Sequence, residues 1–196
     1  MEIVQEKSVF ITGANRGIGL ATARAFSKEG YNIIAHSRCE TPSHTTIYRE
    51  LEHQYNIRVT NVYFDLNNLD EINLKLRSFL STKPKIDVLV NNAGVIHSGL
   101  FLMTPIEDIK KIFNINFFGT LAITQLVGKY MLRKKGGIII NVGSVAGEDL
   151  ACGNIAYGMS KSCVVSLTRL LAKELGAYGI RVNCVSPSLT NTDMAL

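Results

Sequence analysis

The chain has 196 residues, 46% hydrophobic and 19% charged, with 4 prolines and 16 glycines; that balance describes one globular domain and excludes a disordered, collagen-like or low-complexity chain. Net charge is +5, but the basic residues are scattered, and the densest run, Arg133-Lys134-Lys135, reads as a solvated helix end rather than a nucleic-acid surface. No apolar run nears the roughly 18–20 residues of a membrane-spanning helix, the start Met1-Glu2-Ile3-Val4-Gln5-Glu6-Lys7 has no signal-like stretch, and Cys39, Cys152, Cys163 and Cys184 form no CxxC pair, so a cytoplasmic protein with free thiols and no metal is expected.

Short β-branched runs alternate with helical patterns. A first strand, 8–12, enters a glycine-rich turn and then a helix closed by Gly30 as its C-terminal cap. A second strand, 32–36, leads into a loop, 38–45, whose Pro42 and hydroxyls are expected to border a ligand. A third strand, 58–64, precedes a helix whose Leu69, Ile72, Leu76 and Phe79 recur at three- and four-residue steps, one apolar stripe. After a fourth strand, 87–91, Thr104-Pro105-Ile106-Glu107 reads as a capping box with proline at the first helical position, opening one long helix over 105–131. A fifth strand, 137–142, a helix over 155–175 and a sixth strand, 181–185, complete the series. The strands are mostly apolar rather than alternating, so both their faces are covered. Strand–helix alternation of this kind predicts an α/β fold, a doubly wound parallel sheet with right-handed crossovers.

Thr12-Gly13-Ala14-Asn15-Arg16-Gly17-Ile18-Gly19 lies between the first strand and the first helix. Glycines there tighten the turn and let the backbone approach a pyrophosphate, while the helix N-terminus offers free N–H groups to the anion. A carboxylate at the end of the second strand would accept bonds from an adenosine ribose; the chain has His36-Ser37-Arg38 instead. Arg38 and Arg16 suit a 2′-phosphate, because a guanidinium matches phosphate geometry. NADP(H) is therefore preferred to NAD(H).

Tyr157 and Lys161 stand four apart, so on a helix they share a face. An ammonium beside a phenol stabilises phenolate, which turns the tyrosine into an acid/base group. Ser144 follows a buried strand at its carboxyl end, where such sheets place their active sites. A Tyr–Lys pair alone is weak; its weight comes from Ser144 and the glycine loop.

Taken together, these motifs resemble the short-chain dehydrogenase/reductases of the compact one-domain kind, and most of all their 3-oxoacyl-[acyl-carrier-protein] reductases and related carbonyl reductases. The resemblance covers nearly the whole chain and implies a Rossmann-type sheet, with residues 1–196 as a single NADP-binding catalytic domain. It implies that Gly13, Asn15, Arg16, Gly17, Ile18 and Gly19 form the cofactor loop, with Arg38 beside it. Asp65 and Leu66 would contact adenine; Asn92, Ala93 and Gly94 match the segment after the fourth strand; Pro187 and Thr192 would hold the nicotinamide. Tyr157 would protonate an alkoxide formed by hydride transfer, Ser144 would bond the carbonyl oxygen, Lys161 would bind the ribose, and Asn116 would hold a water linking Lys161 to solvent. A small carbonyl or alcohol substrate, carrier-bound or free, and a homodimer through the two long helices are implied as well, with no nucleic acid or membrane partner. His97 reads as incidental, Cys152 and Met159 as pocket walls, and Phe113, Phe117 and Phe118 as core or interface.

Two departures from that pattern stand out. Ser188 replaces the usual glycine after Pro187 and is expected to distort the turn there. The sequence given stops at Leu196, so the chain is expected to be truncated relative to the family, without the seventh strand and substrate lid. The alternative to a reductase is a non-catalytic dinucleotide-binding module or an inactive fragment.

Overall fold

The computed structural model describes residues 6–190, so Thr192 lies outside the described residues. Six strands, β1 (Lys7–Thr12), β2 (Tyr31–Ser37), β3 (Val59–Tyr63), β4 (Val88–Asn91), β5 (Gly137–Val142) and β6 (Ile180–Val185), form one parallel sheet in the order β3-β2-β1-β4-β5-β6. The order reverses at β1, where Val9 lies opposite both Ile33 of β2 and Val88 of β4. This is the Rossmann-type arrangement, and ligands bind it at the carboxyl ends of the strands beside the reversal.

Alternate residues of each strand feed two cores. Phe10, Ile34 and Leu89 face one side with helices α3 (Leu69–Ser81) and α5 (Thr120–Arg133), where Ile72, Leu76, Ile123, Val127 and Met131 are buried. The end of α6 (Ile155–Gly176) packs there too, through Leu171, Ala172 and Leu175. Val9, Ile11 and Ile33 face the other side with α1 (Gly17–Lys28) and α2 (Pro42–Tyr55), which bury Ala23, Tyr48 and Leu51. Each fully buried aliphatic or aromatic side chain contributes about 1.5–3 kcal/mol, so the two apolar faces fix the register that aligns the strand ends. Gly30 closes α1 with φ +75°, as its position predicted.

The helix expected over 105–131 is present and runs unbroken over 106–133, as α4 (Ile106–Phe113), a π-helical turn Asn114–Gly119, and α5. Two other local expectations are corrected. The capping box does not form: the Thr104 hydroxyl donates to the Leu100 carbonyl at 2.9 Å, and Pro105 takes the cap position, not the first helical one. The loop expected over 38–45 is shorter, because Pro42, with its φ already helical, begins α2 at once. The fold also gathers basic residues that are scattered in sequence: Lys83, Lys85, Lys134 and Arg181 line one groove at the opposite ends of the strands.

Candidate active site

The carboxyl end of β1 is held by side chains that leave the glycine loop little freedom. The Thr12 hydroxyl accepts the N–H groups of Asn92 and Ala93 at 2.9 and 3.0 Å. The Asn92 carboxamide donates back to the carbonyls of Thr12 and Gly13 at 2.9 and 3.2 Å. Gly13 turns the chain with φ +64°. Gly19, in the first turn of α1, lies so close that a Cβ there would meet the Gly13 carbonyl oxygen at 2.0 Å. This is the close helix–strand approach that brings free N–H groups of a helix up to a phosphate.

His36 is a part of this support that sequence reading missed. Its Nε2–H donates to the Phe64 carbonyl at 2.9 Å, which leaves Nδ1 to accept the Gly13 N–H at 3.4 Å. The ring lies 4.0 Å from that of Phe64 and is almost wholly buried. Burial pushes its pKa down to about 4, against smaller opposing effects of the Phe64 carbonyl and Asp65. The histidine is therefore neutral, in one tautomer, and ties β1 to β2 and β3. The sequence signal was available: a histidine inside an otherwise apolar strand, beside the loop.

On the far side of the cleft, β5 runs through Gly143 to Ser144. The Ser144 hydroxyl oxygen accepts the Ala146 N–H at 3.2 Å, so its own hydrogen is left to donate into the cleft. Lys161 is buried in α6, with Nζ donating to the Val142 carbonyl at 2.7 Å. Loss of water pushes its pKa down to about 8, with a small opposing effect of Cys184. The same ammonium lies 5.9 Å from the ring centre of Tyr157, one turn earlier on α6. Asn116 sits on the π-helical turn. Its Oδ1 accepts the Val95 N–H at 2.8 Å, and its Nδ2 donates to the Val95 carbonyl and to Ser160 Oγ at 2.9 and 3.0 Å. Ser160 in turn donates to the Tyr157 carbonyl at 2.7 Å. A wider turn there brings a side chain inward that a regular helix would rotate away.

A cleft of about 640 Å³ joins the two sides. It is lined by Gly13, Asn15, Arg16, Gly17 and Ile18, by Asn92, Ala93 and Gly94, and by Ser144, Tyr157, Lys161 and Pro187. A Cβ on Gly94 would sit 3.2 Å from Asn116 Oδ1 and 3.5 Å from Lys161 Nζ, so the floor is open only because that residue is glycine. Small residues, an anion-seeking loop and a buried ammonium along one groove fit a dinucleotide.

Five predicted residues do not line this cleft. Gly19 lies behind the loop, and Asn116 is behind Gly94 with its carboxamide committed to Val95 and Ser160. Arg38 is exposed beyond the end of β2. The Asp65 carboxylate accepts the Asn67 N–H at 2.9 Å. The Leu66 side chain is buried in the core, which leaves its backbone for a ligand. Cys152 and Met159 are not among the cleft walls either, and His97 faces the Asp108 carboxylate at 3.8 Å. Ser188 does line the cleft and has no positive φ, so it carries no left-handed backbone strain; Pro187 beside it accepts the Val145 N–H at 3.1 Å.

Comparison with known proteins agrees with this architecture. Residues 7–196 match the sequence profile of the family described as short chain dehydrogenase. The 3-oxoacyl-[acyl-carrier-protein] reductase of Synechocystis sp. is 34% identical over 194 residues, 99% of this chain and 78% of that protein. Carbonyl reductase family member 4 of Xenopus laevis is 32% identical over 184 residues, 94% of this chain and 75% of that protein. Among solved structures, a short-chain dehydrogenase from Sphingobium yanoikuyae in complex with NADPH has a TM-score of 0.89 at 28% identity, over 96% of this chain and 73% of that one. The chain belongs to the short-chain dehydrogenase family of oxidoreductases. No helix among its described residues is long and apolar enough to cross a membrane.

Proposed function

We propose that the protein is an NADPH-dependent carbonyl reductase, and that its substrates are 3-oxoacyl groups, free or held by an acyl carrier protein. The observation that carries this reading is the shared cleft: Ser144, Tyr157 and Lys161 line the same groove as the glycine loop. The loop from Gly13 to Ile18 would hold the pyrophosphate, Arg16 and Arg38 the 2′-phosphate, and Lys161 the ribose beside the nicotinamide. Bound there, the cofactor supplies hydride; the protein supplies position and field.

Each side chain then has one task. Ser144 donates its hydroxyl hydrogen to the substrate oxygen and stabilises the charge that develops on it. Tyr157 gives its proton to that oxygen. Lys161, an ammonium below about pH 8, stabilises the phenolate left behind. Asn116 holds the start of α6, through Ser160, in register with the cleft floor, and a water near it would return the proton to Lys161. Ile96, Val145 and Leu189 make part of the cleft wall apolar, which supports an acyl chain rather than a sugar. The relatives that reduce 3-oxoacyl carriers support the same substrate class. Exposed apolar Phe118, Met159 and Leu170 on the π-helical turn and α6 support pairing of two copies.

Absorbance decay of NADPH against 3-oxoacyl, steroid, sugar and small-ketone substrates tests the proposal. Turnover strongest on 3-oxoacyl thioesters, and much weaker with NADH, is expected. Tight NADPH binding with no turnover on any carbonyl contradicts it and leaves a dinucleotide-binding module.

A further inference from the structure

His44, on the first turn of α2, links that helix to the glycine loop's Asn15. Its Nε2 lies 3.3 Å from Asn15 Nδ2 and its Nδ1 lies 2.8 Å from Thr41 Oγ1. An amide nitrogen only donates, so Nε2 accepts and Nδ1 carries the hydrogen. The imidazole is therefore neutral, and partial burial lowers its pKa from the ordinary value. The positive end of α2 opposes a second proton as well, with the Glu40 carboxylate just before the helix as a partial counterweight.

This histidine bridges the two segments that the proposed function assigns to the cofactor's phosphates. Asn15 and Arg16 line the cleft on one side; Arg38 and Thr41 lie on the other segment. The titratable and charged groups on the segments next to it are Arg16 on the glycine loop, Arg38, Cys39 and Glu40 before α2, Tyr48 on the next turn with its ring 6.5 Å away, and Tyr63 at the end of β3, which interacts with Glu40 and Cys39. Glu40 is within 3.4 Å of Thr45 on the same turn.

Resting on that cofactor reading, we propose that His44 is a specificity-determining residue that takes up a proton when a 2′-phosphate binds. Protonation makes Nε2 a donor, which breaks its bond to the Asn15 amide; a phosphate oxygen accepts from both N–H groups in its place, whereas a ribose hydroxyl does not require the proton. A dianion reverses the local penalty on the imidazolium; an uncharged 2′-hydroxyl leaves it in place. Affinity for the phosphorylated cofactor thus depends on His44 and on pH, whereas affinity for the unphosphorylated one does not.

Calorimetry with adenosine 2′,5′-bisphosphate and with 5′-AMP, near neutral pH in buffers of different ionisation enthalpy, tests this without catalysis. The wild type is expected to take up protons on binding the bisphosphate and none on binding 5′-AMP. Proton release or no exchange with the bisphosphate overturns the role, because a phosphate bound by arginines alone favours its dianion. His44→Gln is expected to weaken the bisphosphate and NADPH about tenfold, the worth of one charge-assisted hydrogen bond, with NADH little changed. That gap shrinks as pH rises. His44→Lys, cationic throughout, keeps the preference without the proton uptake. Equal losses for NADPH and NADH reduce His44 to a structural residue and overturn the proposal. A wild type with no preference for NADPH overturns the cofactor reading itself, and this role with it.

Discussion

Acid should weaken this protein through His36 before it does so through its surface. The buried imidazole makes both its hydrogen bonds as a neutral ring, to the Phe64 carbonyl and from the Gly13 N–H. Its pKa falls from 6.5 to about 4 because burial disfavours the charged form. The unfolded chain binds this proton below about pH 6.5 and the folded chain refuses it until about pH 4. The contribution to stability is therefore complete above the unfolded value and is lost as pH falls through the interval. Between about pH 7 and pH 4.5 the loss is about 2.5 kcal/mol, a large share of the ~5–15 kcal/mol that holds a typical domain. Urea unfolding of the wild type and of His36→Asn at both pH values measures it. The variant leaves the Phe64 carbonyl without its donor and starts about 1–3 kcal/mol lower. Its further drop on acidification should be smaller than the wild type's by about 2.5 kcal/mol, since every other group titrates in both. Parallel drops in the two proteins would refute the reasoning.

Other consequences are equally direct. Gly19→Ala places a methyl 2.0 Å from the Gly13 carbonyl oxygen and 2.5 Å from Asn92 Nδ2, so the loop must move. NADPH binding should be lost by fluorescence titration and thermal stability lowered, and an unchanged Kd would show that the loop does not hold the cofactor. Lys161, with its pKa near 8 rather than 10.5, should be half neutral near pH 8 and react with cyanate well before the surface lysines. Peptide mass spectrometry across pH, with and without NADPH, reads this out, and labelling of Lys161 no faster than of exposed lysines is the contrary result.

The sheet was legible because its inner strands are apolar, β-branched runs whose alternate residues face the two cores, although the edge strands β3 and β6 are not covered on both faces as expected and expose polar residues such as Asn61, Arg181 and Asn183. Gly13, Gly17 and Gly30 were legible for a local reason, since all three carry positive φ. The π-helical turn between α4 and α5 was not. Nothing in Phe113-Asn114-Ile115-Asn116 departs from helical patterning, and the π-helical turn is fixed by distant partners: Val95 and Ser160 on Asn116, and the Leu66 carbonyl, which would lie 2.9 Å from a Cβ on Gly119. The capping box failed for a similar reason, because the Thr104 hydroxyl had a better-placed acceptor behind it in Leu100. His36 was read only as the absence of a carboxylate, because its two partners lie on segments 23 and 28 residues away.

The proposed chemistry turns on one hydroxyl. Tyr157→Phe removes the proposed proton donor while leaving the ring against Lys161 and the glycine loop untouched. NADPH should bind this variant as it binds the wild type, and turnover on a substrate the wild type reduces should fall by about 10²–10⁴-fold, the usual worth of a positioned acid. A variant that reduces that substrate at the wild-type rate would contradict the claim that this cleft does its chemistry through Tyr157.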